Sequence, residues 1–280
     1  MIGGCTAGDA ALSSCGLQNI GVHLTTQDGE RIAIRHLDGP DPDRGLGVVI
    51  AHGFTGSLDK PGVRAVVDAL GNHAGVVAFD FRGHGRSSGH STLGDKEVLD
   101  VDAVVAHARS LGYYDLVTCG WSMGASVVLR HAALVGGIDA VVSVSAVSRW
   151  FYRDTKPMRR VHWTAETRPG RWIARRAFQT RISPHGWAQV PESPVEVVGR
   201  IAPIPLLIVH GDRDHYFPVE HPEALYAAAG DPKELWLLEG FGHAESAATP
   251  ELLDRIGAHL PVLVARGRSS ASDTRPVEGV

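Results

Sequence analysis

Cysteine is nearly absent from the 280-residue chain, which has only Cys5, Cys15 and Cys119. Two fall near the N-terminus and the third inside an apolar run. No disulfide framework can be built from them, and the pattern fits a reducing compartment, so cytoplasm is the expected location. Long apolar runs are missing as well. Nothing approaches the roughly 18 residues of a membrane span, so no integral membrane contact is expected. The opening MIGGCTAGDAALSSCG has no basic start, and Asp9 interrupts its apolar character. Residues 1–16 read as a disordered tail rather than a signal peptide, although Leu12-Ser13-Ser14-Cys15 has the form of a lipidation box. An excess of positive charge is missing too. The formal net charge is -4, which argues against nucleic acid as a partner. There is no H-E-x-x-H, no clustered cysteine set, no P-loop and no dinucleotide glycine fingerprint. Neither a metal nor a cofactor is expected. No internal repeat is visible.

What is present is an alternation of short β-like and helix-like runs from about residue 17. LQNIGVHLTT and RIAIRHL flank Asp28-Gly29, a turn dipeptide, and read as an antiparallel hairpin. LGVVIAHG, GVVAFDFRG, YDLVTCGWS, DAVVSVSAV and IPLLIVHG are continuous apolar runs of the kind buried on both faces of a parallel sheet. Helical patterns lie between them, as in DKEVLDVDAVVAHARSLG, where Val98, Val101, Val104, Val105 and Ala108 recur at helical spacing. Asp95 and Glu97 stand near its start, where acidic groups suit the helix dipole. KELWLLEG reads as a last strand and TPELLDRIGAHLPVLVARG as a last helix. Such alternation implies an α/β fold, a mostly parallel sheet with helices on both faces.

The rhythm breaks over 148–200. This stretch holds Trp150, Trp163, Trp172 and Trp187, four of the six tryptophans, and residues 149–181 carry nine arginines against two acidic residues. The expected organisation is a tail over 1–16, a core formed by 17–147 and 201–265, an insertion at 148–200, and a second disordered tail over 266–280.

Gly120-Trp121-Ser122-Met123-Gly124 fits G-x-S-x-G between a buried strand and a helix. The glycines suit a bend too sharp for side chains, and Ser122 is the candidate nucleophile. A serine hydroxyl needs a base to take its proton. His243, in Gly240-Phe241-Gly242-His243 after the last strand, is the candidate, ahead of His210, His215 and His259. The third member should orient the imidazole. Asp212 and Asp214 both follow IPLLIVHG. Asp214, further from the strand, is chosen, and Asp212 is expected to cap its own turn. The chain order Ser, Asp, His is the one this architecture requires.

Four stretches taken together, HGFTGS at 52–57, DFRGHGRSSG at 80–89, GWSMG at 120–124, and GDRDHYFP with FGH, resemble the α/β-hydrolase superfamily. Within it the chain looks most like bacterial serine esterases, lysophospholipase-like proteins and serine aminopeptidase-like proteins. The resemblance covers about residues 17–265 except the insertion. It implies an eight-stranded type of sheet, and an oxyanion hole made by the backbone N–H groups of Phe54 and Met123. It implies a supporting role for the loop containing His84, Arg86, Ser87 and Ser88. It also implies that 148–200 is a small cap that selects substrate. Trp121, Trp150, Phe151, Trp163 and Trp172 are then the candidate substrate-binding residues, and the cap arginines suit an anionic group on a small-molecule acyl substrate. The implied reaction is hydrolysis of a carboxylic ester through an acyl-enzyme. Thioesterase, small-peptide aminopeptidase and acyltransferase chemistry share the triad, and a non-catalytic binding protein is the reading from another class. Oligomeric state is not legible.

Overall fold

A computed structural model describes residues 22–273, with side chains described up to residue 269. The N-terminal tail, the lipidation-box reading with Cys5 and Cys15, and residues 274–280 lie outside the described residues.

The chain forms one eight-stranded sheet. Its strands are β1 (Val22–Thr25), β2 (Arg31–Leu37), β3 (Leu46–Ala51), β4 (Gly75–Phe79), β5 (Asp115–Trp121), β6 (Ala140–Val144), β7 (Leu206–Gly211) and β8 (Lys233–Leu238). They lie in the order β1-β2-β4-β3-β5-β6-β7-β8. The expected hairpin is present, Val22 pairing with Ile34 and Thr25 with Arg31. β2 also runs antiparallel to β4, and every pair from β4 through β8 is parallel. This is the α/β-hydrolase fold that the resemblance implies.

Strand alternation divides the core in two. On one face Val49, Leu116, Val141 and Ile208 meet α2 (Glu97–Ser110), α3 (Met123–Leu134) and α7 (Glu220–Ala228). On the other face Val48, Val117, Val142 and Leu207 meet α1 (Pro61–Leu70), α8 (Ala244–Ala247) and α9 (Pro250–Asp273). Burying central strands on both faces explains why they read as unbroken apolar runs. Pro61 opens α1 at its first turn, where its missing N–H costs nothing.

Three differences from the sequence reading have physical causes. The last helix continues to Asp273, beyond residue 266, where a tail was expected to begin. Arg266 pairs with Glu234 and Arg268 with Asp115, so the helix end is tied back to the sheet. Glu97 does stand in the first turn of α2, where an acid suits the helix dipole, but it does more than that. It is fully buried, and its carboxylate accepts from Ser91 Oγ, Thr92 Oγ1 and the N–H groups of Thr92, Leu93 and Gly94. The segment between β6 and β7 is helical, with α4 (Lys156–Glu166), α5 (Arg168–Ala177) and α6 (Pro194–Val197) followed by a 3-10 turn, Val198–Ile201. Thr155 and Thr167 cap α4 and α5, each with a proline in the first turn. Val198 and Ile201 are buried in the same core as α3, so the end of this segment belongs to the body.

Candidate active site

The functional groups collect at the C-terminal ends of parallel strands, where open α/β sheets place their sites. Ser122 joins β5 to α3 with φ 52° and ψ -114°. A non-glycine residue held there costs on the order of 1–3 kcal/mol and persists only if its surroundings enforce it. Here they do. A Cβ on Gly120 would lie 2.4 Å from the Gly124 carbonyl oxygen, and one on Gly124 would lie 2.2 Å from the Ala51 oxygen. The two glycines let β5, α3 and the end of β3 converge on the bend, which holds the serine outward.

His243 Nε2 is 2.9 Å from Ser122 Oγ, and His243 Nδ1 is 2.7 Å from Asp214 Oδ2. The carboxylate accepts a hydrogen bond from Nδ1–H, leaving Nε2 free to accept from the serine hydroxyl. Asp214 is buried. Burial pushes its carboxyl up, but the hydrogen bond and charge of His243, with the Phe217 amide, outweigh this and hold it below the ordinary carboxylate value. Its other oxygen accepts the N–H groups of Tyr216 at 2.8 Å and Phe217 at 3.0 Å. The turn bonding assigned to Asp212 is therefore done by Asp214 itself. Asp212 instead accepts the Gly240 N–H at 2.7 Å, tying its loop to the one that carries His243.

The other histidines have other hydrogen-bond partners. His210 is fully buried, 2.7 Å from the Phe217 carbonyl oxygen and 3.6 Å from Asp214 Oδ2. His215 faces the Arg213 carbonyl and His259 pairs with Glu234.

The two proposed oxyanion donors flank the serine. Among the described residues neither the Phe54 nor the Met123 N–H donates to a protein acceptor. The loop carrying Phe54 is fixed from below by His52. Its Nε2 accepts the Phe81 N–H at 3.1 Å, so Nδ1 donates to the Gly53 oxygen at 2.7 Å. The 83–89 loop supports this floor. Asp80 accepts from the N–H groups of Leu58 and Arg86, and Ser87 Oγ accepts the Ala33 N–H. Ser88 Oγ accepts the Arg31 N–H. His84 lies fully buried beside His52, its pKa pushed down to about 3 chiefly by burial, so it is a neutral packing group. Arg86 pairs with Asp59 at the surface.

Sequence reasoning missed four contributors. Tyr216 stacks on the His243 ring at 4.3 Å, and Phe217 meets it edge-on at 5.4 Å. Their place two and three residues after Asp214 was the available signal. Glu245, two residues past His243, accepts the Gly53 N–H through Oε1 at 2.6 Å. Ser145 Oγ, just past β6, accepts the Ala244 N–H at 3.1 Å and steadies the His243 loop.

The candidate substrate-binding aromatics are not gathered at the serine. Trp121 is fully buried. Its position in β5 matches that of Val117 and Cys119, so it points into the α1/α9 side of the core. Trp150 packs against Val147, Tyr152 and Phe217, one layer from His243, and its indole donates to the Pro191 oxygen. Phe151 lies against Trp187. Trp163 and Trp172 are 47% and 63% exposed. What does reach the site from this segment is the cluster of Ala165, Ala174 and Ile182, on which Phe54 and Leu93 pack. Cys119 is buried, and burial pushes its thiol up to about 12, which leaves it inert.

No described helix is long and apolar enough to cross a membrane. The family described as the alpha/beta hydrolase fold matches residues 48–186. The uncharacterized protein YfhR of Escherichia coli O157:H7 is 28% identical over 239 residues, covering 80% of this chain and 73% of that one. A non-heme chloroperoxidase of Streptomyces lividans is 34% identical over 137 residues, 48% of each chain. Among solved structures, the Pyrococcus furiosus esterase Pf2001 superposes with a TM-score of 0.68 at 25% identity, covering 92% of this chain and 97% of that one.

Proposed function

Because the chain belongs to the α/β-hydrolase superfamily, we propose that it is a serine hydrolase that cleaves a carboxylic ester through an acyl-enzyme. The observation that carries this reading is the unbroken path from Ser122 Oγ through His243 to Asp214, at 2.9 Å and 2.7 Å. Ser122 Oγ attacks the ester carbonyl carbon as its proton passes to His243 Nε2. Asp214 holds the ring and stabilises the imidazolium. The negative charge on the carbonyl oxygen is received by the N–H groups of Phe54 and Met123, each worth about 10²–10³ in rate. The intermediate collapses, the alkoxide takes the His243 proton, and the alcohol leaves. His243 then takes a proton from water, the hydroxide attacks the acyl carbon, and the acid is released as Ser122 recovers its proton. The helical segment between β6 and β7 acts as the cap, because Ala165, Ala174 and Ile182 rest on Phe54 beside the serine.

Labelling by a fluorophosphonate tests this without assuming a substrate. Wild type should react, and Ser122→Ala and His243→Ala should not. Folded wild type that fails to react would remove the catalytic reading in favour of a ligand-binding one. A panel of ester, thioester and aminoacyl-amide substrates then separates ester hydrolysis from the thioesterase, aminopeptidase and acyltransferase readings that share these groups.

A further inference from the structure

Charge in this chain is strongly segregated. Residues 149–181 hold ten cationic residues and two acidic ones, within a chain of formal net charge -4. The two acids are taken locally, Asp154 by Arg149 and Glu166 by Arg153. Arg159, Arg171 and Arg181 are spent on main-chain carbonyls. Lys156, Arg160, Arg168, Arg175 and Arg176 are exposed, and among the described residues none of them makes a salt bridge. Among the described residues no lysine or arginine of this segment pairs with an acid of the body, and Arg181 alone reaches across to it, on the Ser87 and Gly89 carbonyls.

The same hairpin exposes large apolar side chains. Trp163 is 47% exposed, Trp172 63%, Phe178 41% and Ile173 38%. On α4, Lys156, Arg159, Arg160 and Trp163 fall at three- and four-residue spacing on one face. They line a shallow depression of about 290 Å³ that contains no triad residue. On α5 the Arg176 guanidinium lies over the Trp172 ring, 6.0 Å from its centroid. Gly170 and Ala174 form the opposite, buried face. A Cβ on Gly170 would lie 2.5 Å from Thr164 Cα, so α4 and α5 touch closely and present these side chains from a rigid support.

We infer that the α4–α5 hairpin is a docking surface for an anionic lipid bilayer. Arginine and lysine beside exposed tryptophan is the composition that settles at a headgroup boundary. The indoles enter the interface and the guanidinium groups meet lipid phosphates. Ile173 favours a bilayer over a nucleic acid, because an aliphatic side chain gains nothing from phosphates or base edges but gains from acyl chains. Docking here turns the Phe54 side of the sheet toward the membrane.

The test uses the purified full chain with vesicles of phosphatidylcholine alone and of phosphatidylcholine mixed with phosphatidylglycerol. Co-sedimentation should be strong only with the anionic vesicles and should weaken with added salt. Bromolipids should quench tryptophan emission, and Trp163→Ser with Trp172→Ser should remove most of that quenching. Charge reversal of Arg160, Arg175 and Arg176 to Glu, with folding verified by circular dichroism, should lower anionic-vesicle binding by at least about tenfold. Ser122→Ala should bind as wild type does, which separates this surface from the catalytic reading. Equal binding to both vesicle types, binding unaffected by the triple reversal, or binding to RNA without binding to vesicles would each overturn the inference.

Discussion

The Gly53 N–H donates to Glu245 Oε1 at 2.6 Å, joining the loop after β3 to the helical turn after His243. The junction lies against Ser122. A Cβ on Gly53 would be 3.2 Å from both Glu245 Oε2 and Ser122 Cβ. Glu245 thereby fixes the peptide that precedes the Phe54 N–H. Glu245→Ala should lower kcat by about tenfold with little change in KM, as expected for a misplaced transition-state donor. Glu245→Gln keeps an oxygen acceptor for the Gly53 N–H and should restore most of the loss. Steady-state kinetics on a p-nitrophenyl ester reads both. A rise in KM alone would place Glu245 in ground-state binding instead.

Asp214 and Asp212 are separable by the partners they hold. Asp214→Asn should cost about 10⁴ in kcat, because an amide facing Nδ1 favours the wrong imidazole tautomer. Asp212→Asn keeps an oxygen for the Gly240 N–H and should retain activity within a few fold. A larger loss at Asp212 than at Asp214 would reassign the acid.

Much of the architecture was legible because burial leaves a pattern. Strands covered on both faces read as apolar runs, and the glycines around Ser122 announce a bend that tolerates no side chain. His243 and Asp214 were legible from chain order. Glu245 and Glu97 were not, because a carboxylate that accepts backbone N–H groups looks like any surface acid until its loop is folded. Trp121 was misread for a different reason. Adjacency to the nucleophile in sequence says nothing about which side of a strand a residue faces, and the alternation from Val117 through Cys119 carries it into the core. In the segment between β6 and β7, arginine density was visible, but which guanidinium groups are consumed by carbonyls depends on helix ends that sequence does not locate.

Arg82 is buried between two carboxylates, with Nε and Nη2 on Asp100 at 2.9 and 2.8 Å and Nη1 on Asp28 at 2.8 Å. Burial pushes the Asp100 carboxyl up to about 7 against the pull of Arg82. Asp28 is held down to about 2, chiefly by the Arg82 hydrogen bond. A carboxyl held lower when folded than when unfolded stabilises the fold in full above its ordinary value of 3.8, and that contribution is lost as pH falls toward 2. Asp28→Asn should cost at most about 2 kcal/mol near neutral pH, reduced by its partial exposure. The gap to wild type should close between about pH 4 and pH 2. Urea unfolding of both proteins across this range checks it, and a gap that stays constant would remove Asp28 as the titrating group. Arg82→Met should be far worse, about 3–5 kcal/mol, because it leaves Asp100 buried without its partner.

Trp121 offers a test of core against pocket. Its side chain is fully buried, and its indole N–H finds at most the weakly accepting Cys119 sulfur among the described residues. Trp121→Phe opposes two effects. It leaves a void, which costs stability, and it removes a buried, poorly paired donor, which returns some of it. The net cost should be about 1–2 kcal/mol, well below the 3–5 kcal/mol of a truncation to alanine. Because the ring faces α1 and α9 rather than the serine, relative rates across acetyl, butyryl and octanoyl p-nitrophenyl esters should match wild type. A variant of unchanged stability with a shifted chain-length preference would return Trp121 to the acyl pocket, and would mean that the residue beside the nucleophile contacts substrate.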